Sequence, residues 1–104
     1  MQHTVIFTPE ALEQIASLYR YIAIAASPEI AERYTGAIVT FCEDLRDIPL
    51  VGIRRGDVRP GLRITNYKKR AVIAYAVEKG SVSIIGIFYG GQDYESAMQD
   101  DAEF

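Results

Sequence analysis

Apolar residues recur every three or four positions along the first half of the chain, a spacing that predicts two amphipathic helices. A short β-prone run at residues 3–7 comes before them and predicts a first strand. Thr8-Pro9-Glu10 and Ser27-Pro28-Glu29 are both typical of a helix start, because a capping hydroxyl is followed by proline at the first helical position. The second helix carries its apolar face as far as Ile48, and we predict that residues 49–52 end it.

The second half of the chain has the pattern of β-strands. Residues 52–60 are rich in Gly and Arg and predict a loop. Residues 62–66 alternate between apolar and polar, while residues 71–77 and 82–89 are nearly continuous apolar runs of strand length. Because short turns join these three strands, we predict an antiparallel meander.

The predicted order of elements is therefore β-α-α-β-β-β. A helical hairpin must bury its apolar stripes against one face of the sheet, which gives an α+β fold with two layers and a mostly antiparallel sheet. We expect one domain over residues 1–104 with an acidic tail at 92–104, which holds at most a short helix. The other face of the sheet is expected to be uncovered except by this tail, and so to be available to a partner or substrate.

Composition excludes several classes of protein. The 104 residues are 49% apolar and 24% charged, as in ordinary globular domains. No apolar run approaches the roughly 20 residues that span a bilayer, and the N-terminus lacks the pattern of a signal peptide, so we expect no membrane partner. Because a single cysteine cannot form an internal disulfide, we expect a reducing cytoplasm. The single cysteine, Cys42, and the single histidine, His3, exclude an internal disulfide and leave no soft-ligand metal site, so we predict no metal and no cofactor.

The net charge of −3 hides a basic segment between two acidic ones. Residues 54–70 contain one acid, Asp57, and seven bases: Arg54, Arg55, Arg59, Arg63, Lys68, Lys69 and Arg70. Such a segment can be a solvated loop that keeps the protein soluble, or a patch that faces an anion.

The sequence resembles the RelE/ParE superfamily of bacterial toxins, and within it the ParE branch. The resemblance is carried by Leu45-Arg46-Asp47-Ile48-Pro49, Gly52, Arg54, Pro60-Gly61-Leu62-Arg63, Tyr75 and the final strand up to Gly90. ParE chains usually follow this last strand with His-Gly-Arg-Arg-Asp, where this chain has Tyr89-Gly90-Gly91-Gln92-Asp93. The glycine and aspartate positions match, while the histidine and both arginines are replaced.

The resemblance implies a toxin of a type II toxin–antitoxin module, a group historically described as plasmid stabilisation proteins. ParE toxins inhibit DNA gyrase without chemistry of their own, and a co-encoded antitoxin of the ParD type neutralises them by wrapping a flexible segment around the toxin. The resemblance thus implies a hetero-oligomer with an antitoxin, gyrase as a target, and no sequence-specific binding of nucleic acid. A toxin that has decayed into an antitoxin-binding regulator also stays open.

The alternative is a ribosome-dependent, metal-independent mRNA endonuclease of the RelE type, since a shared fold does not decide activity. Its candidate catalytic residues here are Arg63, Lys68, Arg70 and Tyr89. The cations could hold a phosphate, but tyrosine has a reference pKa of about 10 and is a poor base at neutral pH. The acidic net charge also disfavours entry into an RNA-rich cavity.

The binding interpretation needs an exposed surface and gives two sets of candidate residues. Tyrosines suit interfaces, and the basic segment suits an acidic partner. We predict antitoxin contacts at Arg54, Arg59, Arg63, Tyr75 and Tyr89. We predict target contacts in the tail, at Tyr94, Met98 and Phe104.

Overall fold

The computed structural model describes the backbone of residues 3–100 and the side chains of residues 3–98. In chain order the elements are β1 (Thr4–Phe7), α1 (Pro9–Ala25), α2 (Pro28–Asp44), β2 (Ile53–Arg54), β3 (Leu62–Tyr67), β4 (Ala71–Glu78), β5 (Ser81–Tyr89) and α3 (Tyr94–Asp100). The predicted order is confirmed, with two additions. β2 lies in the segment that was expected to be a loop, and α3 is the short helix of the tail.

The strands form one mixed sheet in the order β1-β5-β4-β3-β2. β1 pairs parallel with β5, so that Thr4 lies opposite Ser81, and every other neighbouring pair is antiparallel. The antiparallel meander and the α+β fold class are therefore confirmed. β1 and β2 are the two edge strands of this sheet.

Both predicted helix starts are confirmed. The hydroxyls of Thr8 and Ser27 accept hydrogen bonds from the backbone N–H groups three residues further on, at 3.2 and 3.1 Å. Thr8 also donates its hydroxyl proton to the carbonyl of Ile84 at 2.9 Å. The residue that begins α1 is thus bonded directly to a central strand, which sets where the helical hairpin leaves the sheet.

The second helix is shorter than its apolar spacing predicts. α2 ends at Asp44, and residues 45–50 continue mostly as turns. Leu45 is 1% exposed and completes the core, whereas Ile48 is 53% exposed. The predicted end at 49–52 is wrong because that stretch is bonded to β4, and a continued helix would carry it away from the sheet.

The main core lies between the helical hairpin and one face of the sheet. Its fully buried members include Ile38, Ile73 and Ile84. Cys42 belongs to the same core with no exposed surface, and burial raises the pKa of its thiol to about 12. With a neutral, inaccessible thiol, Cys42 is a packing residue.

A second, smaller core lies on the opposite face of the sheet. α3 covers part of this face and buries Met98 against Val58, Leu62, Ala74 and Phe88. The expectation that the tail is the element covering this face agrees with the packing of α3 on it. The tail is acidic overall, but Tyr94, Ala97 and Met98 fall on the side of α3 that faces the sheet.

We expect Met98→Ala to lower the free energy of unfolding by about 2 kcal/mol or more, because truncation leaves a cavity between α3 and the sheet. Ile24→Ala is a suitable control, since Ile24 is 89% exposed on α1; it should change stability by less than about 0.5 kcal/mol. Urea denaturation followed by circular dichroism measures both values. Equal and small effects would show that α3 does not pack on the sheet in solution.

Candidate functional site

Tyr75 lies in the middle of β4, and its side chain is fully buried. Its hydroxyl donates to the carbonyl of Pro49 at 3.0 Å and accepts from the N–H of Gly52 at 2.8 Å. Burial raises the pKa of this hydroxyl, which keeps it protonated. The prediction that Tyr75 contacts an antitoxin is wrong, because its ring does not reach the surface; it fixes residues 49–52 against the sheet.

Glycine at position 52 permits this close approach. A Cβ on Gly52 would lie 2.5 Å from the Tyr75 hydroxyl and 2.6 Å from the carbonyl oxygen of Ile64, so a side chain would push the segment off the sheet. Arg63, opposite Tyr75 on β3, donates from Nη1 to the carbonyl of Gly52 at 2.9 Å and to that of Leu50 at 3.4 Å. One tyrosine and one arginine therefore hold the same segment.

The segment held in this way presents apolar side chains to solvent. The exposed fractions are 53% for Ile48, 65% for Leu50, 56% for Val51 and 67% for Ile53. We call these four residues the apolar edge, because they lie in or just before β2, one of the two edge strands of the sheet. A cluster of this kind marks an interaction surface. Sequence reasoning missed it by assigning Ile48 to the buried face of a helix, although the apolar run continuing past Pro49 was a signal.

Two arginines lie beside the apolar edge. Arg54 and Arg63 are opposite each other on β2 and β3, on one side of the sheet, and with Leu50 and Val77 they line a cleft of about 500 Å³. Within the part of the chain that the structure describes, the guanidinium of Arg54 has no hydrogen-bond or ion-pair partner, while that of Arg63 bonds only to carbonyls. Like charges directly opposite each other are unfavourable, so the cleft suits an anion.

The next arginine, Arg55, is already neutralised within the protein. It donates to both carboxylate oxygens of Asp57 at 3.0 Å, and also to the carboxylate of Glu95 and the hydroxyl of Tyr94 on α3. The hydrogen bonds to Asp57 and Glu95 raise the pKa of Arg55, and the bond to Arg55 lowers the pKa of Asp57. Part of the basic segment therefore binds the protein's own tail, which leaves Arg54 as an unneutralised cation on β2.

The three residues predicted to contact a target have different surroundings. Met98 is 6% exposed, with Nη1 of Arg59 at 3.8 Å from its sulfur, so the prediction that it contacts a target is wrong for this conformation. Tyr94 is half-buried, and its hydroxyl is bonded to Arg55. Phe104 lies outside the described residues. Within the described part of the tail, the outward side of α3 is the surface that this packing leaves exposed.

The residues of the nuclease alternative fall into two groups. Lys68, Arg70 and Tyr89 lie at one end of the sheet, where the β3–β4 turn runs beside the end of β5. Arg63 lies about 13 Å along β3 from that end, judged by the rise per residue, and its guanidinium bonds to backbone carbonyls. The structure does not gather the four residues around one phosphate.

Tyr89 belongs to a cluster of packed aromatic rings. The ring of Tyr34 meets those of Tyr67 and Tyr89 edge-on, with centroids 6.1 and 5.7 Å apart, and the ammonium of Lys68 lies 5.5 Å from the Tyr67 centroid. Burial, followed by the neighbouring Tyr89, raises the pKa of Tyr34. These contacts are those of packing. Tyr89 is half-buried, so part of it remains accessible. Its contact with an antitoxin stays a prediction.

Gln92, which stands where the ParE pattern has an arginine, has a structural role. β5 continues beyond β1, and its unpaired N–H groups at Ile87 and Tyr89 donate to the side-chain oxygens of Gln14 and Gln92, at 2.7 and 2.9 Å. The two glutamines therefore supply hydrogen-bond acceptors to backbone N–H groups of β5 that no neighbouring strand pairs with. Compared with the arginine of the ParE pattern, Gln92 carries no charge at this end of the sheet. The backbone N–H of Tyr89 still has a hydrogen-bond acceptor.

Among the described residues, no helix has the length and apolar character to cross a membrane, and no group of three or more His, Cys, Asp or Glu is placed to hold a metal ion.

Comparison with known proteins identifies one family. The family model described as "ParE toxin of type II toxin-antitoxin system, parDE" matches residues 5–94. A search of curated protein sequences gives no match.

Two similar solved structures share the fold. One, described as the chromosomal ParDE TA system from P. aeruginosa, has a TM-score of 0.75 at 19% identity and covers 86% of this chain and 97% of that chain. The other, described as the toxin–antitoxin complex RelBE2 from Mycobacterium tuberculosis, has a TM-score of 0.62 at 24% identity and covers 86% of this chain and 99% of that chain. At these identities the likeness shows the fold alone.

We expect Tyr75→Phe to lower the free energy of unfolding by about 1–3 kcal/mol, because the Pro49 carbonyl and the Gly52 N–H both lose their partner. Tyr21→Phe is the matched control, since Tyr21 is 65% exposed; it should change stability by less than about 0.5 kcal/mol. Chemical denaturation gives both values, and faster deuterium uptake at residues 49–53 would show that the segment is released. Unchanged stability and uptake would contradict the role of the hydroxyl.

Proposed function

Because the chain belongs to the ParE toxin family of type II toxin–antitoxin systems, we propose that it inhibits DNA gyrase and so blocks replication, with no chemical step of its own. The observation that supports this most is the division of the nuclease candidates. Arg63 is bonded to the backbone at one end of β3, while Lys68, Arg70 and Tyr89 lie at the other. Cleavage of RNA needs a base, an acid and cations around one phosphate.

The C-terminal end of β5 supports the same proposal. Its glycine pair, Gly90 and Gly91, has positive φ angles of 68° and 86°, and Gln92 is bonded to the backbone of Tyr89. This turn presents neither an imidazole nor a guanidinium of its own. The groups available there suit binding better than proton transfer.

We further propose that an antitoxin of the ParD type neutralises the protein by forming a hetero-oligomer with it. Of the contacts predicted from the sequence, the surface positions Arg54, Arg59, Arg63 and Tyr89 remain in this proposal, while the buried Tyr75 does not. The similar structures are described as a ParDE system and as a toxin–antitoxin complex. Gyrase works on the chromosome, so the proposed place of action is the bacterial cytoplasm.

The test compares two activities of the purified protein. We expect it to inhibit DNA supercoiling by gyrase and to leave mRNA intact in a translating extract. Relaxation of DNA by a type I topoisomerase is the control and should be unaffected. In cells, expression without antitoxin should cause filamentation and induce the DNA-damage response.

Three results would contradict this proposal or part of it. Immediate arrest of protein synthesis with mRNA cut inside codons would favour the RelE-type nuclease. Inhibition of both topoisomerases would indicate binding to DNA and not to gyrase. A folded protein that binds its antitoxin and inhibits nothing would indicate a regulator that has lost toxicity.

A further inference from the structure

We propose that the neutralising segment of the antitoxin adds as an extended strand to the outer side of β2 and places a carboxylate in the cleft between Arg54 and Arg63. This inference rests on the proposed function for the identity of the partner. The binding mode follows from the backbone, the charges and the apolar side chains at this edge of the sheet.

The backbone of β2 is paired on one side only. The N–H of Arg55 donates to the carbonyl of Leu62 at 2.8 Å, toward β3. Because successive residues of a strand direct their backbone groups to opposite sides, Arg54 directs its N–H and C=O outward. β2 is the last strand in the sheet order, so both groups are available to a strand from another chain.

Charge indicates the chemistry of that strand. Arg54 and Arg63 lie directly opposite each other with no acid between them, and Arg54 has no ion-pair partner among the residues that the structure describes. A carboxylate entering their cleft would neutralise this repulsion and accept hydrogen bonds from the guanidinium of Arg54. The strand therefore carries an acidic residue where it passes Arg54.

The apolar edge indicates what flanks the acid. Leu50, Val51 and Ile53 are each more than half exposed, and they lie on the chain that leads into Arg54. Apolar, β-branched side chains beside the acid would bury them when the strand is added. An extended segment in which one acid lies among apolar residues fits both features.

A second copy of this chain fits the edge poorly. If β2 paired with β2 of another molecule about Arg54, two unneutralised guanidinium groups would face each other next to Arg63 of both molecules. Like charges at directly opposite positions oppose such pairing. A short, cationic edge strand is a device that resists pairing with itself and still accepts an acidic strand.

The experiment measures binding of the proposed ParD-type antitoxin, purified separately. Arg54→Glu should weaken binding by at least about tenfold, and Arg54→Gln by less, because the first change adds repulsion to the loss of the ion pair. Lys69→Glu is the matched control: it makes the same change of charge at an exposed cation at the opposite end of β3, and it should change the Kd by no more than about twofold. Circular dichroism verifies that each variant is folded.

Hydrogen exchange distinguishes strand addition from charge attraction alone. The outward amide of Arg54 should exchange rapidly in the free protein and become protected in the complex. An unchanged Kd for Arg54→Glu, an equal loss for Lys69→Glu, or an unprotected Arg54 amide would each overturn the inference alone. Protection that rises with concentration in the absence of antitoxin would assign the edge to a second copy and overturn it as well. If the wild-type protein does not bind the antitoxin, the proposed neutralisation fails and the inference fails with it.

Discussion

The hydroxyl of Tyr75 forms the contacts on which the shape of the apolar edge and of the neighbouring cleft between Arg54 and Arg63 depends. It is buried in the middle of the sheet and bonds to the backbone on both sides of the loop that leaves α2, at Pro49 and at Gly52. A buried hydroxyl without a hydrogen-bond partner would lower the stability of the fold, and so would buried backbone groups of the loop without one. The position of the loop and the burial of Tyr75 therefore depend on each other. Glycine at position 52 and the guanidinium of Arg63 complete the arrangement, and the exposed apolar side chains and β2 follow from it.

Much of the fold could be predicted from local signals. The two Ser/Thr-Pro-Glu helix starts, the change from a period of three or four to a period of two, and the short turns between strands depend on neighbours in sequence, and each predicted element is present. The parallel pairing of β1 with β5 has no such local signal. The end of α2 was misplaced because helical spacing persists to Ile48, whereas the hydrogen bonds that decide the outcome come from Tyr75 and Arg63, far along the chain.

The candidate site was less predictable for the same reason. Alternation within β3 showed that Arg63 points away from the face that Leu62 fills, but not that its charge would be directed to two backbone carbonyls. Tyr75 resembled an interface residue by type, although its place in a central strand buries it. Met98 was assigned to a target surface, because the sequence does not show which side of α3 meets the sheet. Arg54, by contrast, was predicted as a surface contact; it is exposed, and its guanidinium has no partner among the residues that the structure describes.

The two faces of the sheet illustrate how one fold can host different activities. On one face, Arg55 and Glu95 join the tail to the loop before β3 and complete a small core around Met98. On the other, Arg54 and Arg63 leave a cationic cleft beside exposed apolar residues. Lys68, Arg70 and Tyr89 lie at the far end, where Tyr89 packs against Tyr34 and Lys68 lies over the ring of Tyr67. Binding surfaces of this kind can change without disturbing the helical hairpin and the central strands.

The pairing of the first strand with the last has a consequence for how the protein is made. Thr4 lies opposite Ser81, and Thr8 bonds to the carbonyl of Ile84, so β1 and the start of α1 have no sheet to join until β5 has left the ribosome. A nascent chain that ends before β5 lacks the strand that supplies Val82, Ile84 and Ile87 to the main core, so part of the apolar face of its helical hairpin stays exposed to chaperones and proteases. A chain truncated before β5 therefore cannot complete this sheet, and only a nearly complete chain can adopt the whole fold.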